Sequence, residues 1–84
     1  MIKIRFEPGS NEEFVGGDCV AKYEAAIVTE AQAYFGEDVE LSSDSPFGTK
    51  IEIDDDNPFA MQDAENGLHY IMEKIGNNLT EICS

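Results

Sequence analysis

Basic side chains are scarce in this sequence, which has five Lys and Arg residues against 18 Asp and Glu residues and a formal net charge of −13. Binding to DNA, RNA or an anionic membrane depends on Lys and Arg side chains that neutralise phosphates. The composition therefore excludes, to a first approximation, direct contact with nucleic acid or membrane. It predicts that a macromolecular partner is a basic protein.

Cysteine and histidine are also rare, with two residues and one residue respectively. Cys19 and Cys83 are neither in CxxC spacing nor near clustered histidines, so we expect free thiols, no metal site and no redox motif. His69 has no acidic or nucleophilic partner that the sequence can place beside it. We therefore expect a protein that is not an enzyme and that carries no cofactor.

Long hydrophobic runs are missing as well. No segment approaches the roughly 20 apolar residues of a transmembrane helix, and the N-terminus lacks the apolar stretch and cleavage site of a signal peptide. With 84 residues, of which 42% are hydrophobic, the chain is long enough for one small core. We expect a single domain, residues 1–84, located in the cytoplasm.

The most distinctive segment is residues 37–56, where eight acidic residues are opposed by one base, Lys50. Apolar residues alternate with polar ones at Val39 and Leu41 and again at Ile51 and Ile53, which is the period of strands with one buried face. Residues 45–48, with the sequence SPFG, fit a type I turn. The segment therefore predicts a β-hairpin. Outward residues two apart on one strand are separated by roughly 6.6 Å, so the carboxylates stand in rows along the strands.

The remaining chain predicts four further elements. Residues 2–7 alternate as a first strand, residues 19–35 carry the apolar stripe of a helix, and residues 79–83 can serve as a last strand. Asn57 and Pro58 form a polar cap and first helical residue for a second helix, which runs to about residue 75 and contains Gly67. A glycine inside a helix indicates a close helix contact or a slight kink.

The predicted order is strand, helix, strand, strand, helix, strand, which is the ferredoxin-like βαββαβ arrangement of the α+β class. An antiparallel sheet then has both helices on one face, and its first strand pairs with its third. In this arrangement Lys3 and Arg5 lie beside Glu52 and Asp54 on the uncovered face. The loop of residues 8–17 lacks the arginine of acylphosphatases and the cysteine pair of copper chaperones with this fold.

The run Asp54-Asp55-Asp56-Asn57 invites comparison with a calcium-binding loop. It does not fit the EF-hand pattern, because Pro58 and Phe59 occupy positions that need an oxygen ligand and a glycine. An acidic strand end that runs into a helix cap explains the same residues. We expect no specific metal site here.

The acidic segment supplies the candidate partner-binding residues. Phe47, at the tip of the predicted turn, is either folded back over the sheet or exposed as an apolar anchor. The carboxylates are either a solvated surface that keeps the protein soluble or a binding surface for a cationic partner. The candidate residues are Glu37, Glu40, Asp44, Phe47, Glu52, Asp54, Asp55 and Asp56.

In size, acidity and compactness the chain resembles small phage-encoded inhibitors of host defence, particularly anti-CRISPR proteins and other DNA mimics. The resemblance concerns composition over the whole chain and includes no shared motif, so it assigns no residue roles. It implies an inhibitor that occupies the basic nucleic-acid-binding surface of a protein or complex, in the host cytoplasm if the gene is carried by a phage. The alternative is a regulatory or assembly module that forms a homodimer through its sheet edge or open face.

Overall fold

The chain forms a three-stranded sheet and four helices in a computed structural model that covers all 84 residues. The elements in chain order are β1 (Ile2–Arg5), α1 (Ser10–Val15), α2 (Val20–Phe35), β2 (Val39–Ser42), β3 (Lys50–Glu52), α3 (Pro58–Asn77) and α4 (Leu79–Ile82).

The sheet has the strand order β2-β1-β3. The central strand β1 is parallel to β2 and antiparallel to β3, so that Lys3 has Glu40 as its partner on one side and Glu52 on the other. The antiparallel pairing of the first and third strands agrees with the prediction. The ferredoxin-like βαββαβ fold is nevertheless wrong, because the sheet is mixed, has three strands and belongs to a chain that is mostly helical.

The predicted hairpin of residues 37–56 is also wrong, because β2 and β3 lie on opposite sides of β1. The seven residues between the two strands can extend over roughly 23 Å. They need to cross only two strand spacings, roughly 10 Å. The connection passes the end of β1, where the backbone N–H of Ser45 donates to the carbonyl of Phe6 at 3.0 Å. Alternation identified both strands and their buried faces, but it contains no information on which strand lies next to which.

One hydrophobic core holds the elements together. Ile4 of β1 and Phe6, the residue after the strand, are 0% and 2% exposed, because every second residue along this segment faces the helices. Helices α2 and α3 pack against each other and against this sheet face. The other core side chains are Ile2, Cys19, Tyr23, Ile27, Ala31, Val39, Ile51, Ala64, Leu68, Ile71 and Ile75.

Helix α3 begins as the sequence predicts. Asn57 is its N-cap, its side-chain Oδ1 accepts from the backbone N–H of Phe59 at 2.9 Å, and Pro58 follows at the first helical position. Gly67 lies in close contact with α2. A Cβ atom at this position would be 2.6 Å from Cε1 of Tyr34 and 2.9 Å from Cζ of Phe35. The expected close helix contact at Gly67 is therefore confirmed.

The C-terminal segment forms helix α4, so the predicted last strand is wrong. The backbone N–H of Cys83 donates to the carbonyl of Leu79 at 2.9 Å, which is a helical hydrogen bond. A run of five residues with apolar positions three apart is too short for periodicity to distinguish helix from strand. The helix brings Cys83 to Cys19 at the start of α2, with the two Cα atoms 5.4 Å apart, and a disulfide joins them. The prediction of free thiols is therefore wrong.

The second face of the sheet is not covered by a helix, and we call it the open face. Its side chains come from the alternate positions of the strands, namely Lys3, Arg5, Glu40, Ser42, Lys50 and Glu52. None of the four helices combines the length and the apolar character that crossing a membrane requires.

Candidate protein-binding surface

The eight predicted partner-binding residues do not form one surface. They divide into Glu40, Asp44 and Glu52 at the open face, Glu37, Asp54, Asp55 and Asp56 at the end of the sheet where β1 begins, and Phe47 at the opposite end. The division follows from the sheet topology. Because β2 is parallel to β1 and β3 is antiparallel, the start of β2 and the end of β3 lie at the same end.

Arg5 pairs with two of the three carboxylates at the open face. Its Nη1 donates to Oδ2 of Asp44 at 2.7 Å, and its Nη2 donates to Oε2 of Glu52 at 3.2 Å. Nε of Arg5 also lies 2.8 Å from Oε1 of Glu52. The hydrogen bond to Glu52, assisted by the charges of both carboxylates, raises the pKa of Arg5. With Lys3 and Lys50 on the same face, the open face is close to neutral and does not present a uniform acidic surface.

Asp44 is held in its ionised form by two neighbours. The hydroxyl of Ser42 donates to Oδ1 of Asp44 at 2.7 Å, while Arg5 occupies Oδ2. The Ser42 hydrogen bond, followed by the attraction of Arg5, lowers the pKa of Asp44 below its ordinary value of 3.8. Asp44 is thus part of a local network that fastens the end of β2 to β1.

The acidic charge is concentrated instead at the end of the sheet where β1 begins. An open cleft there is lined by five carboxylates and by the apolar groups of Phe35, Ile53 and Ala60, and no Lys or Arg side chain lines it. We call its carboxylates the acidic end. They are Glu37, Asp54, Asp55, Asp56 and Asp63.

One amine and one backbone group contact the acidic end. The N-terminal amine of Met1 lies 2.8 Å from Oε1 of Glu37 and 3.0 Å from Oδ2 of Asp54. These hydrogen bonds, that of Glu37 first, raise the pKa of the amine to about 10. Oδ1 of Asp55 accepts from the backbone N–H of Asn57 at 2.9 Å, which fixes the turn into α3. One positive charge therefore faces five negative ones.

Phe47 is exposed, with 81% of its surface accessible, so the alternative of a side chain folded back over the sheet is not found. The turn that carries it is well fastened. Ser45 is buried, and the backbone N–H of Gly48, which has a φ of 69°, donates to a carboxylate oxygen of Glu7. Phe47 lies at the far end of the sheet from the acidic end. Two exposed aromatic residues lie nearer the acidic end: Tyr34, which is 51% exposed, lines the cleft, and Phe59, which is 80% exposed, directly precedes the lining residue Ala60 at the start of α3.

His69 lies on α3 at the rim of a groove that also contains Lys50 and Glu65. It takes part in no hydrogen bond or ion pair with them. No group of three or more His, Cys, Asp and Glu side chains has the arrangement needed to hold a metal ion.

Sequence reasoning did not find two members of the candidate surface. Asp63 was not included among the partner-binding residues because it lies in α3, outside the acidic segment, and reaches the cleft only through the first turns of that helix. Phe59 was treated as a residue that breaks a calcium-binding pattern. Its position two residues after the helix cap Asn57, in the first turn, where side chains are often solvent-exposed, was the available signal.

Comparison with known proteins gives no relative: no family model, no curated protein and no solved structure matches the chain significantly. The functional interpretation therefore depends on the residues and their geometry.

Proposed function

We infer that the protein is an inhibitor that binds the basic, nucleic-acid-binding surface of a partner protein or complex through the acidic end. It acts by steric and electrostatic exclusion of DNA or RNA, without catalysis. The observation that carries this proposal is a cleft with five carboxylates and no Lys or Arg side chain. Like charges so close together repel one another, and a cationic partner relieves that repulsion.

The contrast between the two carboxylate groups supports the choice of surface. On the open face, Arg5 contacts both Asp44 and Glu52, so these charges are already compensated within the chain. At the acidic end the side chains have no basic side chain as partner. A basic partner therefore gains more from contacts at the acidic end, where only the Met1 amine pairs with Glu37 and Asp54 and the other three carboxylates have no ion pair.

The negative charge of the acidic end indicates what kind of surface the target presents. Duplex DNA presents about one negative charge per 1.7 Å of its axis, and proteins that bind it line their grooves with Lys and Arg. A compact cluster of carboxylates is a surrogate for such phosphates. Phe59, exposed beside the cluster, supplies the apolar contact that gives an electrostatic encounter a longer lifetime.

The proposal places the protein in the cytoplasm, where the basic target meets nucleic acid. The bond between Cys19 and Cys83 is of a kind that persists mainly in oxidising compartments. The oxidation state of the two cysteines in protein isolated from the source cell therefore tests this part of the proposal separately.

The test is binding of the purified chain to a panel of basic proteins that includes a nuclease and a CRISPR surveillance complex, at rising salt and with duplex DNA as competitor. We expect binding to at least one member that DNA displaces and that salt weakens. The acidic-end variant carries Glu37→Gln, Asp54→Asn and Asp56→Asn. It should lose at least about tenfold in affinity, because close charge pairs dominate such interfaces.

The matched control removes the same charge from exposed positions elsewhere, through Glu12→Gln, Glu73→Gln and Glu81→Gln. It should keep affinity within about threefold, since only long-range attraction is reduced. Equal losses in both triple variants would show that net charge alone is responsible. Affinity that salt does not change would exclude the electrostatic mechanism altogether.

A further inference from the structure

A groove runs along the outer side of β3 and is unrelated to the acidic end. Its inner wall is β3, and its other wall is a stripe of α3 with steps of three and four residues, Met61, Glu65, Leu68 and Met72. The groove has a volume of about 690 Å³. We call it the β3–α3 groove.

The groove exists because α3 extends past β3, the edge strand of the sheet that the helix covers. β3 pairs with β1 on one side only, and its other edge has no strand partner. Helix α3 extends beyond that edge, so its side chains lie over the place where one more strand would fit. The only segment predicted to form another strand is helical and is tied to Cys19 by the disulfide. No part of the chain covers this edge.

The edge of β3 is self-complementary. Lys50 and Glu52 flank Ile51 and both are exposed, whereas Ile51 faces the core. If two β3 strands pair antiparallel about Ile51, each Lys50 lies directly opposite a Glu52 of the other copy. Opposite charges in this position stabilise a strand pair. The N–H and C=O groups that a free edge leaves unpaired obtain partners at the same time.

The stripe of α3 has the same symmetry. A twofold axis at Ile51 brings the two α3 helices together in antiparallel orientation, and the stripe reads nearly the same in both directions. Met61 and Met72 stand at its two ends, with Glu65 and His69 between them. Glu65 of one copy then lies opposite Leu68 and beside His69 of the other, and the flexible methionines fill the space between the helices. An interface between identical copies requires this self-complementarity.

The other free edge lacks these properties. β2 has the sequence VELS, with Glu40 exposed and no basic residue. It follows directly on Glu37 and Asp38, so two β2 edges would oppose acid with acid. Only the β3 edge can pair with its own copy without placing like charges opposite one another.

We propose that the β3–α3 groove is a homodimer interface, in which two β3 strands pair antiparallel about Ile51 to form a continuous six-stranded sheet. The β3–α3 groove and the cleft of the acidic end share no lining residue. The proposal therefore does not depend on the proposed function, and either can fail without the other.

The first test is the mass of the full chain in solution by sedimentation equilibrium, from about 10 μM to about 1 mM, the range in which weak dimers dissociate. The experiment is run at 0.15 M salt, where the electrostatic screening length is about 8 Å. Salt then suppresses the repulsion between the net charges of the two copies more than the attraction between opposite charges that are in contact across the strand pair. The mass should rise from 9.3 kDa toward twice this value. A monomer throughout would overturn the proposal and leave the groove to a strand of a different protein.

The second test uses charge variants. Lys50→Glu places four carboxylates around Ile51 in the dimer and should weaken dimerisation at least about tenfold. Lys22→Glu changes the net charge equally at an exposed residue of α2 and is the control, with an expected effect under about twofold. Equal effects of the two variants would overturn the strand pairing.

The third test locates the interface without a variant. The chain contains three methionines, two of which line the groove while Met1 lies at the acidic end. Methyl NMR signals of Met61 and Met72 should shift on dilution, and that of Met1 should stay constant. A dimer that dissociates without moving Met61 and Met72 uses another surface and contradicts the proposal.

Discussion

Cys19, at the start of α2, is joined by a disulfide to Cys83, which follows 64 residues later in the chain. The bond ties α4 and the C-terminus to the core, in which Cys19 is 6% exposed. It encloses most of the sequence in one covalent loop.

The disulfide should therefore matter for stability. Cys83→Ser removes the bond at its exposed end and should lower the free energy of unfolding by about 2–4 kcal/mol, because the unfolded chain regains the freedom that a long loop closure removes. Urea denaturation followed by circular dichroism measures this difference. Wild-type protein in dithiothreitol should match the variant. Detection of two free thiols in the folded, non-reduced protein would contradict the bond itself.

Gly67 should resist substitution by alanine. In a helix this change ordinarily stabilises by up to about 1 kcal/mol. Here the added Cβ would stand 2.6 Å from the ring of Tyr34, so the helices must separate or the ring must move. We expect Gly67→Ala to lower the free energy of unfolding by about 1–2 kcal/mol, as overpacking does. Chemical denaturation of the purified variant checks this.

Gly76 in the same helix is the matched control. A Cβ atom at Gly76 would meet nothing within 4 Å. Gly76→Ala should therefore raise the free energy of unfolding by about 0.5–1 kcal/mol. The same sign for both substitutions would indicate that the contact of Gly67 with α2 does not constrain the packing.

Asp44 should make part of the stability depend on pH. Its pKa in the folded chain lies below the ordinary value of 3.8, with the Ser42 hydroxyl as the main cause. An acid with a lowered folded pKa stabilises the protein above its unfolded pKa, and this contribution is lost as pH falls through the folded pKa. The thermal unfolding temperature should thus fall as the pH drops below about 4, and this fall should be smaller in the Asp44→Asn variant.

The control for this prediction is Asp56→Asn, which removes the same charge from an exposed residue without a hydrogen bond. The unfolding temperature of this variant should fall with decreasing pH nearly as that of the wild type does. If Asp44→Asn and Asp56→Asn change the pH profile equally, the network of Ser42, Asp44 and Arg5 has no special role.

The two most exposed aromatic residues should differ in function. Phe47 and Phe59 are 81% and 80% exposed, so alanine at either position should change stability by less than about 0.5 kcal/mol. If the acidic end binds the basic partner, Phe59→Ala should weaken binding about tenfold, as for an apolar anchor in an interface. Phe47→Ala should leave binding unchanged, and isothermal titration calorimetry distinguishes the two outcomes.

Local patterns predicted the elements better than their arrangement. Alternation at Val39 and Ile51 identified β2 and β3, and the Asn57-Pro58 pair marked the start of α3. The expected proximity of Arg5 and Glu52 was also correct, since it required only that β1 pair with β3. These features depend on residues close in sequence or on one strand pair.

The position of β2 could not be predicted in the same way. A short connection such as residues 43–49 is compatible with a hairpin and with a crossing past the end of β1, and the choice depends on how α2 returns the chain to the sheet. Glu37 and Asp54 lie at one end of the sheet with either arrangement, because β2 and β3 run in opposite directions in both. The position of β2 on the other side of β1 instead places Arg5 between Asp44 and Glu52, and it contacts both. The hairpin would have joined the carboxylates of β2 and β3 on one ribbon, whereas Lys3 and Arg5 of β1 separate them in the sheet.

The central position of β1 has a consequence for how the protein folds. Every hydrogen-bonded strand pair includes β1, and even the pairs between β1 and β2, such as Ile2 with Val39, span more than a third of the chain. No local hairpin can nucleate the sheet, so its formation waits for closure of a large loop, which gives the topology a high contact order for so short a chain. Refolding in stopped-flow experiments should accordingly be slower than that of helical bundles of similar length. The circular dichroism signal of α2 and α3 should appear before the strands pair.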